Sequence, residues 1–337
     1  MAKAIGCISG GLDSQLAVAL LRKQGVEVVA LHVQHVWHPG LLEEGAKPPG
    51  VRAIESRGVP VRVVSGARAD LDIVRNPAHG FGKHLNPCLD CRIWTLREAK
   101  RLMEEQRADF VFTGEVLGQR PMSQHRSALA MVAREAGLED LVLRPLSAKR
   151  LPPTRPEREG KVSRDLLMGF SGRTRKPQMA LAAELGITDY PTPAGGCLLT
   201  DPGFAFRLRE LMDHGPPTLA DVELLKVGRH FRLPQGSHLV LGRHYEDNLL
   251  LERLFQAGDL RLEADRMPGP TGLLRGEASE ESVAVAAGLI LRYGKAKAGE
   301  THPVRVEPVG GEARVIEVPT GDDDLAQRLI IRPKEPA

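Results

Sequence analysis

Residues 9–14 read Ser9-Gly10-Gly11-Leu12-Asp13-Ser14, directly after an apolar run and before a helical pattern. Glycines at a strand-to-helix turn let the backbone bend sharply towards a ligand, and the free amides of a helix start attract an anion. Ser9 and Ser14 add hydroxyl donors, and Asp13 is placed to hold Mg²⁺ on a phosphate. The plainer reading is a turn that Asp13 or Ser14 caps. No Gly-Lys-Ser/Thr is present, which argues against a Walker-type hydrolase. A second polar run, Thr113-Gly114-Glu115-Val116-Leu117-Gly118-Gln119, is followed by Ser123-Gln124. Thr113, Glu115, Gln119 and Ser123 offer hydrogen bonds for a ribose, a phosphate or a nucleobase.

The third group is sulfur. Cys88 and Cys91 form a Cys-x-x-Cys pair after Asn86-Pro87, and Cys197 follows Gly195-Gly196. Such a pair binds a metal or oxidises to a disulfide. Adding Cys197 gives three thiolates, one short of a structural zinc site or a fully ligated iron–sulfur cluster. Three ligands leave one iron open, which suits a site that binds and delivers sulfur. Cys7, inside the first apolar run, reads as a small buried hydrophobe without a function.

The elements that must position these groups alternate. Short β-rich runs at 4–8, 27–33, 59–64, 109–112 and 140–143 are separated by helical stretches at 14–24, 49–56, 90–106 and 126–137, with a last helix near 175–185. Apolar strands alternating with helices predict an α/β domain, a doubly wound parallel sheet covered on both faces. Ligand crevices of such sheets lie at the carboxyl ends of the strands, so the two polar runs should face each other. Residues 150–163 are too rich in Pro and charge for a core element and read as a loop on the active-site side. The predicted organisation is a nucleotide-binding domain over 1–190, a Cys-bearing Gly/Pro-rich linker over 191–202 and a smaller α+β domain over 203–337. In that last domain a helix is expected at 204–213, with strands near 239–241 and 248–252.

Length favours two domains over one core, since 337 residues exceed the size at which single cores stop growing. Four cysteines in such a chain are not a disulfide framework, and no run approaches the about 20 apolar residues of a membrane helix. A cytoplasmic protein without membrane attachment is expected. The net charge is only +3, yet ten Lys/Arg stand against three acids between Arg144 and Lys176. That stretch reads either as a phosphate-backbone footprint or as a solvated loop. The turn 169–173 offers Phe170 to a base.

Ser-Gly-Gly-x-Asp-Ser resembles the signature of the PP-loop ATP pyrophosphatases, with their HUP-like fold, which use ATP to adenylate a carbonyl oxygen and release pyrophosphate. The 113–119 run, Ser123-Gln124, Arg144-Pro145-Leu146 and Lys149 are similar to the ThiI-like tRNA 4-thiouridine synthases over about residues 4–187. That family's amino-terminal THUMP region and its rhodanese-like domain have no counterpart in this sequence. The resemblance implies ATP at Ser9, Gly10, Gly11, Asp13, Ser14, His32, Thr113, Gly114, Glu115 and Gln119, with Arg144 or Lys149 stabilising charge on phosphorus. The three cysteines resemble those of cluster-dependent tRNA thiolases, with a 4Fe–4S cluster on Cys88, Cys91 and Cys197. Asn-Pro-Cys with a distant Gly-x-Cys also resembles the 2-thiouridylases, where one cysteine carries a persulfide and another resolves it. Zinc or structural thiols are a third possibility. Gly228-Arg229-His230 and Gly242-Arg243-His244 in the C-terminal region read either as RNA phosphate contacts or as polar turns. The region resembles part of the NFACT proteins, which implies RNA binding in place of the THUMP region.

The expected function is thus ATP-dependent tRNA thiolation, with Asp13, Cys88, Cys91, Cys197, Arg144 and Lys149 catalytic. Its partners would be tRNA and a sulfur donor, sulfide or a cysteine desulfurase. A sulfur-transfer enzyme acting on a small molecule and a non-catalytic RNA-binding protein are the competing readings.

Overall fold

The computed structural model describes residues 1–190 and 196–333. The chain divides into two compact units, Met1–Cys197 and Leu198–Ala337. The division falls within the expected 191–202 linker, of which residues 191–195 lie outside the described ones.

The first unit runs β1 (Lys3–Cys7), α1 (Leu12–Lys23), β2 (Glu27–Gln34), α2 (Pro49–Ser56), β3 (Val61–Ser65), α3 (Ala67–Arg75), α4 (Cys88–Glu105), β4 (Phe110–Thr113), α5 (Arg126–Glu135), β5 (Val142–Leu143), the single turn α6 (Arg155–Arg158) and α7 (Lys176–Glu184). The strands form one parallel sheet in the order β3-β2-β1-β4-β5. This is the expected α/β fold with its parallel, doubly wound sheet. Apolar side chains alternate between the two faces of β1. Ala4 joins a core with Leu21 and Val51, and Ile5 joins one with Leu96 and Val132. Both faces are therefore covered by helices.

Local differences from the sequence reading have local causes. The strand expected at 140–143 is only Val142–Leu143, because Asp140 sits in a left-handed turn at φ 66°. Helix α4 begins at Cys88, so Cys88 and Cys91 both lie in its first turn. Helix α3 was not expected. The 150–163 segment is not on the crevice side. Lys161 pairs with Asp109 at 2.5 Å and Arg158 pairs with Asp140, both acids preceding the amino ends of β4 and β5. Val162 inserts into the core.

The second unit contains α8 (Pro202–Asp213), α9 (Leu219–Leu224), β6 (Arg229–Arg232), β7 (His238–Leu241), α10 (Tyr245–Glu252), β8 (Leu260–Ala264), β9 (Gly272–Arg275), α11 (Glu280–Tyr293), β10 (Thr301–Pro308), β11 (Arg314–Pro319) and α12 (Asp323–Leu329). Its sheet is antiparallel, in the order β11-β10-β8-β9-β7-β6. Helix α11 supplies Val283, Ala286, Ile290 and Leu291 to the core beneath it. The strand expected at 248–252 is helix α10, which His244 caps by accepting from the Asp247 amide. No helix among the described residues is long and apolar enough to cross a membrane.

One contact fixes the loop at 9–14 to the scaffold. A Cβ on Gly50, in the first turn of α2, would lie 1.9 Å from the Gly10 carbonyl oxygen. Gly50→Ala should lower stability by about 1–3 kcal/mol, since backbone has no room to yield. Gly269→Ala, whose nearest neighbour would be 3.7 Å away, should change little. Chemical denaturation of the two variants checks the contrast.

Candidate nucleotide and sulfur site

At the carboxyl end of β1 the chain turns through Gly10, at φ 79°, into α1. Gln15 Nε2 holds the Gly10 carbonyl at 3.2 Å, and Ser14 Oγ donates to the Gly11 carbonyl at 2.8 Å. The Gly11 amide donates to Ser9 Oγ. No side chain caps α1, so its first amides remain open to an anion.

The second polar run meets this turn. Gly114 follows β4, and a Cβ there would lie 2.6 Å from the Asp13 carbonyl carbon and the Ser14 amide nitrogen. Only glycine permits that approach. Gln119 Nε2 donates to Asp13 Oδ2 at 2.9 Å, across 106 positions of sequence. Asp13 Oδ1 is buried and has no hydrogen-bond partner among the described residues. Burial pushes the Asp13 carboxyl up, and Gln119, Arg175, Arg120 and Gln178 offset this only in part. A buried carboxylate oxygen without a partner, beside open helix amides, suits Mg²⁺ bound with a phosphate. His32 lies at the same end of the sheet, its Nδ1 3.1 Å from the Ile8 carbonyl. Burial holds its pKa down, so it is neutral at pH 7.

Glu115 behaves differently. It is buried between Arg144, at 3.1 Å, and Arg92, at 3.4 Å, and accepts from Thr113 Oγ1 at 3.0 Å. Burial pushes its carboxyl up, but Arg92, Arg144 and Thr113 more than reverse this and hold it low. Glu115 and Thr113 are therefore joined to each other and to the arginines. Buried Ser123 and Gln124 each keep one side-chain oxygen unpartnered.

The cysteines stand next to this network. Arg92 follows Cys88 by one helical turn and lies within electrostatic reach of it while pairing with Glu115. Burial pushes the Cys91 thiol well up, and Asp70, Cys197 and Cys88 add to the shift in that order. Cys88 and Cys197 are thus both within electrostatic reach of Cys91. Among the described residues no group of three or more His, Cys, Asp or Glu is set to hold a single metal ion. In an iron–sulfur cluster each cysteine binds its own iron, so the sulfurs need not converge on one point. Three gathered soft donors therefore fit such a group. Cys7 is half-buried, and its thiol is pushed up to about 12 by desolvation and then by Glu115.

Two expected catalytic cations are otherwise engaged. Arg144 is buried and committed to Glu115 and the Leu129 carbonyl. The Lys149 ammonium donates to the Asp165 carbonyl. The cations acting on Asp13 are Arg175 and Arg120, and Arg175 Nε is buried without a partner. The basic stretch is largely neutralised: Arg155, Arg158, Lys161 and Arg164 pair with Glu159, Asp140, Asp109 and Glu157. Phe170 packs against the apolar cluster of Leu12, Leu16 and Val116 and is not offered to a base. Sequence reasoning missed Arg92, Arg120, Arg175 and Gln178. Only Arg92 carried a signal, its position four residues after Cys88, legible once α4 starts at Cys88.

The two carboxylates make opposite predictions. The raised Asp13 pKa means that its ionisation opposes folding, so this penalty grows as pH rises through and above the ordinary carboxylate range. Asp13→Asn should raise the thermal midpoint at pH 7, and the gain should vanish below about pH 3.5. Glu115 has a lowered pKa, so its contribution is present at neutral pH and lost on acidification. Glu115→Gln should cost about 3–5 kcal/mol at pH 7, by leaving the two arginines unpaired. Thermal melts across pH separate the two cases.

Residues 1–149 match the family model described as "Thiamine biosynthesis protein (ThiI)", and residues 228–329 match "NFACT protein RNA binding domain". A tRNA-specific 2-thiouridylase MnmA from Micrococcus luteus is 26% identical over 296 residues, covering 79% of this chain and 75% of that protein. Among solved structures, a 4-thiouridine synthetase–RNA complex with bound ATP aligns at 22% identity with a TM-score of 0.39, over 67% of this chain and 53% of that one. This chain thus spans about half the length of that synthetase. The U34-tRNA thiolase NcsA from Methanococcus maripaludis, with its [4Fe-4S] cluster, aligns at 16% identity with a TM-score of 0.34, over 66% of this chain and 70% of that one. The Ser-Gly-Gly-Leu-Asp-Ser turn and the Gly114 approach both fall within residues 1–149, the part of this chain that is similar to the ThiI family model.

Proposed function

We propose that this protein is an ATP-dependent tRNA sulfurtransferase. It adenylates a uridine carbonyl oxygen, releases pyrophosphate and replaces that oxygen by sulfur delivered at Cys88, Cys91 and Cys197. The observation that carries this reading is the bridge made by Arg92, which joins Glu115 of the nucleotide crevice to Cys88 of the sulfur group. The match of residues 228–329 to an RNA-binding domain supports an RNA substrate, and the match of residues 1–149 supports the sulfur chemistry.

The phosphates of ATP would lie on the open amides of α1, and Asp13 would hold the Mg²⁺ that accompanies them. Arg175 and Arg120 supply positive charge near the phosphates as the uridine oxygen attacks the α-phosphorus and pyrophosphate departs. Adenylation matters because a carbonyl oxygen is a poor leaving group and AMP is a good one. Sulfur then adds to the activated carbon, and the original oxygen leaves with AMP. A 4Fe–4S cluster on three cysteines, when bound, supplies one iron without a protein ligand at which sulfide can be held. Burial of Cys91 keeps its thiol protonated, so loading such a group releases its proton.

One observation favours a second reading. Cys88 and Cys197 both lie within electrostatic reach of Cys91, so two of the three thiols can also serve as a persulfide carrier and its resolving partner. A desulfurase persulfide would load sulfane sulfur on Cys88, and attack by the terminal sulfur of the Cys88 persulfide displaces AMP. Cys197 then cleaves the S–S bond to Cys88, releasing the thiouridine and leaving a Cys88–Cys197 disulfide that an external thiol must reduce.

Protein purified without oxygen should release pyrophosphate from ATP in a tRNA-dependent manner and convert a uridine to a thiouridine, read by nucleoside mass analysis. Asp13→Asn should abolish both outcomes, and Cys197→Ser should abolish thiolation. Thiolation by colourless, iron-free protein would favour the persulfide. Full thiolation by Cys197→Ser would remove both sulfur schemes, and an absence of tRNA-dependent pyrophosphate release would remove adenylation.

A further inference from the structure

In β6 side chains alternate, so Phe231 joins the core under α11 while His230 and Arg232 face the other way. Helix α8 meets that outer side, with Glu210 gripping Arg232 through two hydrogen bonds at 2.7 and 2.8 Å. One turn earlier in α8 is Arg207. Its Nε is buried and unpartnered, and its guanidinium donates to the Leu225 carbonyl at 3.2 Å. No carboxylate stands within ion-pair distance of it among the described residues. Burial pushes its pKa down, Asp201 offsets this, and Arg243 pushes it further down.

Below it, His230 is 2% exposed and its Nδ1 lies 3.1 Å from His238 Nε2. His230 Nε2 makes no hydrogen bond. Burial, His238, Arg207 and Arg243 all push its pKa down, and only the Val227 carbonyl pushes it up, so the ring is neutral. When His238 donates to Nδ1, Nε2 carries the hydrogen and is a donor short of a full hydrogen bond among the described residues. The neighbouring Arg243 is exposed and bound to Asp247, and His244 caps α10. Tyr245 follows at 70% exposure. A half-buried cation that lies over the Phe204 ring without a carboxylate partner, together with a buried donor short of a full hydrogen bond, calls for a localised anion. An exposed tyrosine beside arginine is a stacking platform.

We propose that Arg207, His230 and the 243–245 turn form a binding site for single-stranded RNA, with a backbone phosphate at Arg207 and His230 Nε2 and a base stacked on Tyr245. This rests on the reading of the second unit as RNA-contacting, and adds to it the place and the strand form of the RNA.

The test uses the full chain, a single-stranded oligonucleotide and tRNA, across a salt series. Arg207→Gln should weaken oligonucleotide binding about tenfold and reduce the salt slope by about one. It should also raise the thermal midpoint, because a half-buried cation without a carboxylate partner is removed. Tyr245→Ala, on the surface, should weaken binding about tenfold with the slope unchanged. Wild-type affinity in either variant, or a lower midpoint with full affinity in Arg207→Gln, overturns the site while leaving tRNA binding intact. Stabilisation by inorganic phosphate without any binding of oligonucleotide also overturns it. Failure of the wild type to bind tRNA removes the RNA-contacting reading of this unit as well, whereas pyrophosphate release from ATP is measured separately.

Discussion

The buried charge of Glu115 organises the first unit. Placing a carboxylate in the interior is costly unless partners compensate it from several sides. The partners come from three elements: Thr113 from the end of β4, Arg92 from α4 and Arg144 from the residue after β5. Each arginine must reach Glu115, which fixes where α4 and the chain beyond β5 can lie. Arg92 then has Cys88 within electrostatic reach, so the sulfur group is registered against the nucleotide crevice through a single guanidinium. Loss of the carboxylate would release both sites from each other.

Asp13 shows the contrast that divides scaffold from ligand site. Both carboxylates are buried, and burial pushes both upwards. In Glu115 every unfavourable contribution is answered within the protein. Asp13 Oδ2 accepts from Gln119, while Oδ1 makes no hydrogen bond among the described residues. Pairs of similar groups driven in opposite directions by their surroundings mark different tasks. The closed network holds geometry, and the incomplete one waits for a cation. Arg175 repeats the pattern with opposite charge, its Nε enclosed and unpartnered near the same place.

The loop at 9–14, the polar run at 113–119 and the parallel sheet were legible because each depends on local residue order. Glycine spacing forces a turn, and apolar runs separated by helical patterns force crossover connections. The basic stretch misled because a charge count in a sequence window cannot include partners outside it. Asp109 and Asp140 neutralise Lys161 and Arg158 from beyond the window, at the end of the sheet away from the crevice. Arg144 misled for the same reason, since its partner is 29 positions away. In the second unit three successive leucines, Leu249–Leu251, look like strand, but the capping of α10 by His244 decides for helix.

The two Gly-Arg-His segments carry this furthest. Gly228 and Gly242 flank paired strands: a Cβ on Gly228 would meet the Leu241 carbonyl at 2.6 Å, and one on Gly242 would meet Asn248 at 1.9 Å. After Gly228 the chain enters β6, so strand alternation places Arg229 over Tyr293 and drives His230 into the interior. After Gly242 the chain has left β7, so Arg243 and His244 stay at the surface to start α10. The same tripeptide thus supplies a buried imidazole on one side of the strand pair and an exposed basic turn on the other. That difference is set by whether the residues enter or leave a strand, and it is what brings a buried donor and a surface aromatic to one edge of the sheet.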